Sequence, residues 1–269
     1  ALLHLVQGMA KLSTAPRLWI VTRNAQFVDD TPAPTAVAQA LVWGFGRTIA
    51  VEHPELWGGL VDLSPEPTTG EVDRVLDELL ASDGEDQIAF RSNERMVPRL
   101  VACDMPPLAP DIHLDSAAGY LITGGIGGLG HHVAQWLIDG GVTDLTLTGV
   151  RERDTTQLPH NFAPAGVRVE IVVADASSRT QMAAVMEGIA ARGKALKGIF
   201  HLAGLPEETP LTDSHFEHGR RVLTPKVDGG WVVHELSREL SLDFFVAFSS
   251  ISSVWGSRGQ PFYGAANHF

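Results

Sequence analysis

Cysteine is almost absent from the 269 residues: Cys103 stands alone, so no internal disulfide can form and the usual cysteine-based zinc spacings are missing. That scarcity suits a reducing, cytoplasmic setting, and the thiol itself reads as a buried or linker residue rather than a nucleophile. No metal site is expected. Positive charge is also scarce, with 20 Lys+Arg against 32 Asp+Glu, a formal net charge of -12 and a pI near 5.3. Such a surface offers no field to a phosphate backbone or an anionic bilayer, so nucleic-acid and membrane partners are not expected and any nucleotide site has to be local. No run approaches the roughly 18 uninterrupted apolar residues of a membrane span. The opening "ALLHLVQGMA" has no basic segment and no initiating methionine, so it reads as a helix cut from something longer rather than a signal peptide.

What is present is alternation, on a 44% hydrophobic content that supports a substantial core. The first hundred residues run "LWIVT" (strand), "TAVAQALVWGFGRTIAVEH" (helix), "GGLVDL" (strand), "GEVDRVLDELLAS" (helix), then "DQIAFRS" and "RMVPRLV", a hairpin about Asn93. No glycine-rich loop follows the first strand. Residues 102–118 carry three prolines and no period, which marks a linker. The rhythm then restarts with "GYLITGG", "LGHHVAQWLIDGG", "DLTLTGV", "VRVEIVVADA", "SRTQMAAVMEGIAARG", "LKGIFHLAG", a long helix over about 215–240 and the strand "DFFVAFSS". The expected fold is α/β, with two Rossmann-like subdomains: a truncated structural one at 1–101 with no cofactor site, and a doubly wound one at 119–269 that carries the chemistry.

"TGGIGGLG", residues 123–130, lies between a strand and a helix, where glycines permit a tight turn and close approach of backbone to a pyrophosphate. Gly125, Gly127 and Gly130 fit G-x-G-x-x-G, while Thr123, Gly124, Gly128 and Gly130 fit the short-chain dehydrogenase pattern T-G-x-x-x-G-x-G. A turn without a ligand is the alternative, and the strand and helix on either side speak against it. After the next strand, where NAD enzymes place an acidic residue, stands Arg151, with Arg153 second; a guanidinium there suits the 2'-phosphate of NADPH, and a solvated loop charge is the plainer alternative. Asp175 has two readings of equal standing, acceptor for the adenine amino group or cap of the following helix.

Reduction of a carbonyl needs a proton donor and something to polarise the oxygen, beside the hydride source. Ser250 sits where a strand runs out at the ligand-binding edge of the sheet, Tyr263 follows 13 residues later at a helix start, and Asn267 is one turn beyond it. A free tyrosine has a pKa of about 10, so a nearby cation makes it a better acid. Lys226, in "RVLTPKVDGGW", is the available lysine.

"TGGIGGLG", "GIFHLAG", "RVLTPKVDGGWVVHEL" and "FSSISSVWGSRGQPFYGAANHF" together resemble the ketoreductase domain of modular type I polyketide synthases, and "PRLWIVTRNAQ", "AQALVWGFGRTIAVEHPELWGGLVDL" and "RMVPRLV" resemble that family's structural subdomain. The family exchanges the lysine and asparagine positions of ordinary short-chain dehydrogenases, as Lys226 and Asn267 do here. The resemblance implies Tyr263 as proton donor, Ser250 as hydrogen-bond donor to the substrate oxygen, Lys226 and Asn267 as their support, and Leu129, Ala203 and Gly204 beside the glycines at the cofactor. It implies an acyl carrier protein bearing the substrate on phosphopantetheine, neighbouring synthase domains, and a family chain that continues past Phe269.

The family's D-giving members carry an LDD motif after the position of Gly204; here "LPEETPL" stands there. Its L-giving members have a tryptophan eight residues before the tyrosine, and Trp255 occupies that place. The L-configured alcohol is therefore the expectation, with Trp255 and Glu207 as substrate-steering residues, although Trp255 also fits a packed loop aromatic. Two other readings stay open: a free-standing short-chain reductase of a small ketone, and a ketoreductase-like domain without redox activity.

Overall fold

The computed structural model describes residues 1–28, 36–80, 83–92, 94–102, 113–150 and 166–269. Arg151, Arg153, Cys103, Asn93 and most of the 102–118 linker fall outside them. The described residues form two compact units: one gathers those of 1–105 with Pro206–Arg220 and Ser249–Phe269, the other those of 106–205 with Arg221–Phe248. The units differ from a linear division of the chain, because two later segments pack with the first hundred residues. No helix among the described residues is long and apolar enough to cross a membrane.

In the first unit α1 (Leu2–Met9) precedes β1 (Leu18–Arg23), α2 (Val37–Glu52), β2 (Trp57–Leu63), α3 (Glu71–Leu80), β3 (Gln87–Arg91) and β4 (Glu94–Met96). The sheet order is β1-β2-β3-β4, parallel except for the closing hairpin. Every residue of β2 is buried, as expected of a central parallel strand covered on both faces. The strand expected over 95–101 is only β4, since Pro98 has no amide to donate to a ladder.

The second unit holds β5 (Gly119–Thr123), α4 (Gly128–Asp139), β6 (Asp144–Gly149), β7 (Arg168–Val173), α5 (Arg179–Ala191), β8 (Leu196–His201), the greater part of α6 (Phe216–Ser237) and β9 (Phe244–Ala247). Its strands are all parallel, in the order β7-β6-β5-β8-β9. Alternation along β5 sends Tyr120 and Ile122 into one core with Ala134, Leu137 and Leu145, and Leu121 into the other with Met182, Ile189 and Val233. The order reverses at β5, so the carboxyl ends of β5 and β8 form a topological switch point, where doubly wound sheets bind ligands. The short α7 (Ser252–Trp255) and α8 (Pro261–His268) belong to the first unit.

Candidate active site

The glycine loop leaves β5 at the switch point. Gly124 turns with φ +67°, and a Cβ there would stand 2.7 Å from the Ala203 amide nitrogen, so only glycine lets the loop cross the end of β8 this closely. A Cβ on Gly130 would lie 2.3 Å from the Gly125 carbonyl oxygen, which ties the first turn of α4 against the loop. Gly127 and Gly128 differ: a Cβ on Gly128 would meet no other element of the described residues within 4 Å, and with Leu129 they are exposed at the start of α4. Although the Gly127 amide donates to the Gly124 carbonyl, this exposed backbone at a helix N-terminus fits a dinucleotide pyrophosphate. Thr123 is buried, its hydroxyl 2.7 Å from His201 Nδ1, so it braces β5 against β8 from inside the sheet.

Lys226 projects from α6 in the same unit. Its Nζ donates to the Phe248 carbonyl at 2.7 Å, leaving two further N–H donors of an ammonium, and burial holds its pKa below the ordinary lysine value. A Cβ on Gly204 would come within 2.9 Å of the Lys226 Cε, which accounts for a glycine at that point of "HLAG". His201 beside them is pushed down to about 4 by burial and by the Lys226 charge, so it is neutral at physiological pH. Asp175 does not cap α5: Ser178 does, accepting from the Gln181 amide, while Asp175 Oδ1 receives the amide and hydroxyl of Ser177. The cap alternative for Asp175 is thereby corrected, because an N-cap oxygen has to reach the amides one turn ahead and Ser178 already does.

The hydroxyl groups lie in the first unit. Ser250 follows β9 by three residues rather than ending it, and its Oγ accepts from the Ser252 hydroxyl at 2.8 Å and from the Ser252 amide at 3.3 Å. A hydroxyl that is already an acceptor donates its own proton more strongly. Tyr263 is in the first turn of α8, half-buried; Asn267, one turn on, donates Nδ2–H to the Tyr263 carbonyl at 2.8 Å and keeps a buried Oδ1 without a partner among the described residues. Ser249 closes the group by donating to the Asn267 carbonyl at 2.7 Å.

Two contacts that position this cluster were not read from the sequence. A Cβ on Gly44 of α2 would stand 2.2 Å from the Gly264 carbonyl oxygen, and one on Gly264 would stand 2.9 Å from the Gly44 oxygen, so α2 and α8 cross backbone to backbone beside Tyr263. Arg47, one turn along α2, donates to the Ser253 carbonyl at 2.5 Å and lies 3.0 Å from His268 Nδ1; burial lowers its pKa to about 10. Paired glycines in "WGFG" and "FYGAAN" were the available signal.

Glu207, expected to face the substrate, is 2% exposed, and its Oε2 receives the Phe262 and Tyr263 amides, each at 2.8 Å. The structure thus gives it an internal partner in place of an outward one. Trp255, by contrast, is 59% exposed at the end of α7 and available to a ligand.

The KR domain family model matches residues 118–269, and the Rossmann-fold domain of the polyketide synthase extender module SpnB matches residues 1–100. The chain belongs to the KR domain family. Polyketide synthase GfsA of Streptomyces halstedii is 37% identical over 99% of this KR chain, and erythronolide synthase EryA3 of Saccharopolyspora erythraea 38% identical over 99%. The chain spans only 4% and 8% of those two multidomain proteins. Among solved structures, an A-type ketoreductase from a modular polyketide synthase superposes with a TM-score of 0.90 at 34% identity, covering 99% of this chain and 57% of the other. A C2-type ketoreductase gives 0.88 at 30% identity, with 99% and 58% covered. The fold is thus that of Rossmann-type reductases that use a nicotinamide cofactor, and no cluster able to hold a metal ion occurs among the described residues.

Proposed function

We propose that this KR domain reduces a β-ketoacyl thioester, presented by an acyl carrier protein, to the β-hydroxyacyl thioester with NADPH, giving the L-configured alcohol. The observation that carries the reading is the exposed glycine backbone of Gly127 and Gly128 at the switch point of the second unit, where a Cβ on Gly128 would meet no other element among the described residues. Gly127, Gly128, Leu129, Ala203 and Gly204 would hold the cofactor on a loop shaped by buried Gly125 and Gly130, with Asp175 at the adenine and Arg151, outside the described residues, at the 2'-phosphate; Thr123, expected there too, is buried against His201 and braces the loop instead of touching the cofactor. When bound, the nicotinamide supplies the hydride that the carbonyl carbon accepts.

The chain's own groups handle the oxygen. Tyr263 gives its phenolic proton to the carbonyl oxygen as the C=O becomes CH–OH, and Ser250, polarised by Ser252, donates a hydrogen bond to that oxygen. The resemblance gives Lys226 the part of a supporting cation, for which its ammonium keeps free donors, and the Asn267 Oδ1, without a partner among the described residues, can accept a hydrogen bond from a water that returns the proton. Trp255, exposed eight residues before Tyr263, narrows the approach of the acyl chain to one face. Functionally, 119–269 is the cofactor-bearing part, 102–118 a linker and 1–101 a structural part. A free-standing reductase of a small ketone is the lesser reading, since the relatives are multidomain synthases.

The test is NADPH oxidation with a β-ketoacyl N-acetylcysteamine thioester, with chiral analysis of the product. Turnover to the L alcohol, cut at least a hundredfold by Tyr263→Phe, is expected from the usual size of general-acid contributions. No turnover together with no NADPH binding would overturn the enzyme reading, and a D product would overturn the steering assigned to Trp255.

A further inference from the structure

We infer that Glu207 is the positioning residue for Tyr263, a remote carboxylate cap that fixes the helix presenting the phenol. α8 opens on Pro261 with Gln260 at the N-cap position, and Gln260 makes no side-chain cap bond. A helix start leaves amides without intrahelical partners, and in a buried setting each needs an acceptor. Glu207 supplies it from 55 residues earlier: Oε2 takes both the Phe262 and the Tyr263 N–H at 2.8 Å, while Oε1 lies 3.5 Å from His218 Nε2. The bond to the Tyr263 amide acts on the very residue whose side chain gives the proton.

The segment that carries Glu207 is itself pinned. Glu52, at the end of α2, accepts from the Leu211 amide at 2.8 Å and from the Gly259 amide at 2.6 Å, and the Thr209 amide donates to the Gly259 carbonyl at 2.8 Å. Two carboxylates therefore join residues 207–211 to the turn before α8. Glu207 cannot swing out, since it is 2% exposed. Its pKa is raised to about 7, first by burial and also by the Glu52 charge, while the two amides act the other way. The groups around it are thus Glu52, His218 and the amides of Phe262 and Tyr263. A carboxylate is not needed for the bonds themselves: a glutamine oxygen in the same place accepts both amides and does not titrate.

The inference rests on Tyr263 being the proton donor, but it has a readout that does not depend on turnover. The chain has two tyrosines, Tyr120 and Tyr263, so labelling tyrosine Cζ with carbon-13 gives two phenol signals, assigned with Tyr263→Phe. In Glu207→Ala the Tyr263 signal is expected to shift or broaden while Tyr120 stays in place. The kcat should fall at least tenfold with the NADPH Kd within twofold of wild type, and Glu207→Gln should restore the signal and bring kcat to within threefold. If Glu207→Ala does not fold, Glu207→Asp, which withdraws the carboxylate by one methylene, takes its place with the same expected shift. An unmoved Tyr263 signal in either variant overturns the inference, as does a kcat loss matched by an equal loss of NADPH affinity. A shifted Tyr263 signal in a chain with no turnover supports the positioning role and counts against the proton-donor reading alone.

Discussion

Two sheets in this chain grow from the same alternation of strand and helix, yet only the second reverses its strand order. In the first, β1-β2-β3-β4 follow the chain in sequence, so no pair of neighbouring strand ends opens a crevice. In the second, the reversal at β5 leaves room for the glycine loop. The loops after the first strand of each unit differ accordingly. After β1 the amides of Ala25 and Gln26 point at an anion, but the anion is the chain's own Asp62, whose oxygens accept them at 2.9 to 3.1 Å. Arg91 and Thr22 complete the site, each 2.6 Å from the carboxylate, and Trp43 donates to Thr22 at 2.9 Å. After β5, the Gly127 amide donates only to the Gly124 carbonyl of its own turn, and a Cβ on Gly128 would meet no side chain among the described residues. One loop is filled by protein, and the other is where the proposed cofactor would sit.

The largest effect is expected where the filling is removed. Asp62 is fully buried and Arg91 nearly so, and a charge left alone in such a place costs about 3–5 kcal/mol. Asp62→Ala should lower the urea-denaturation stability by that amount while the folded fraction binds NADPH with unchanged Kd. A loss below about 1 kcal/mol would break the comparison, because the first loop would then not need its internal anion.

Glycines of the second loop should divide by what their missing Cβ would meet. Gly130→Ala drives a methyl group into the Gly125 carbonyl, so about 1–3 kcal/mol of stability and most NADPH binding should go together. Gly128→Ala meets open space, so stability should stay within about 0.5 kcal/mol of wild type. NADPH affinity should nevertheless fall about tenfold, or 1.4 kcal/mol, if the methyl stands in the proposed approach of the pyrophosphate. Calorimetric titration and thermal unfolding of both variants read the split. Equal losses of stability in the two would mean that the loop is a turn and not a cradle.

How far the sequence carried these conclusions depends on the range of the interactions. The glycine loop, the strand and helix alternation and the helix start at Tyr263 are local, written within ten residues by spacing and turn chemistry, and the structure places them where the pattern implies. The long helix also forms as expected, with Pro225 inside it. What escaped was nonlocal. Nothing near Glu207 says that its partner is Tyr263, and nothing near Gly44 says that Gly264 will cross it. Glu207 stands where the family's stereochemical motif lies, which suggested contact with substrate, and its burial instead gives the same side chain an internal role. At Asp175 two chemically sound readings competed, and only the position of Ser178 decided against the cap. Strand order, which separates the two sheets, leaves no mark in composition or period.

The smallest expected effect concerns acid. Two histidines among the described residues, buried His201 in the second unit and partly buried His268 in the first, are lowered to about 4 chiefly by burial, with the charges of Lys226 and Arg47 as second causes. A histidine with a depressed folded pKa gives stability that is complete above its unfolded value of about 6.5 and is lost as pH falls towards 4, roughly 2 kcal/mol each by pH 5. Glu207 has the opposite sign. With a folded pKa raised to about 7, it binds a proton before the unfolded chain does, so acidification from pH 7 to 5 returns about 2 kcal/mol to the first unit. His268 and Glu207 therefore nearly cancel in the first unit, whereas no carboxyl group with a raised pKa offsets His201 among the described residues of the second. Hydrogen exchange followed by mass spectrometry from pH 7 to 5, corrected for intrinsic rates, should show β5 and β8 losing protection before α8. In Glu207→Gln the cancellation disappears and α8 should become as acid-sensitive as β5; unchanged protection of α8 in that variant would show that Glu207 does not titrate in this range.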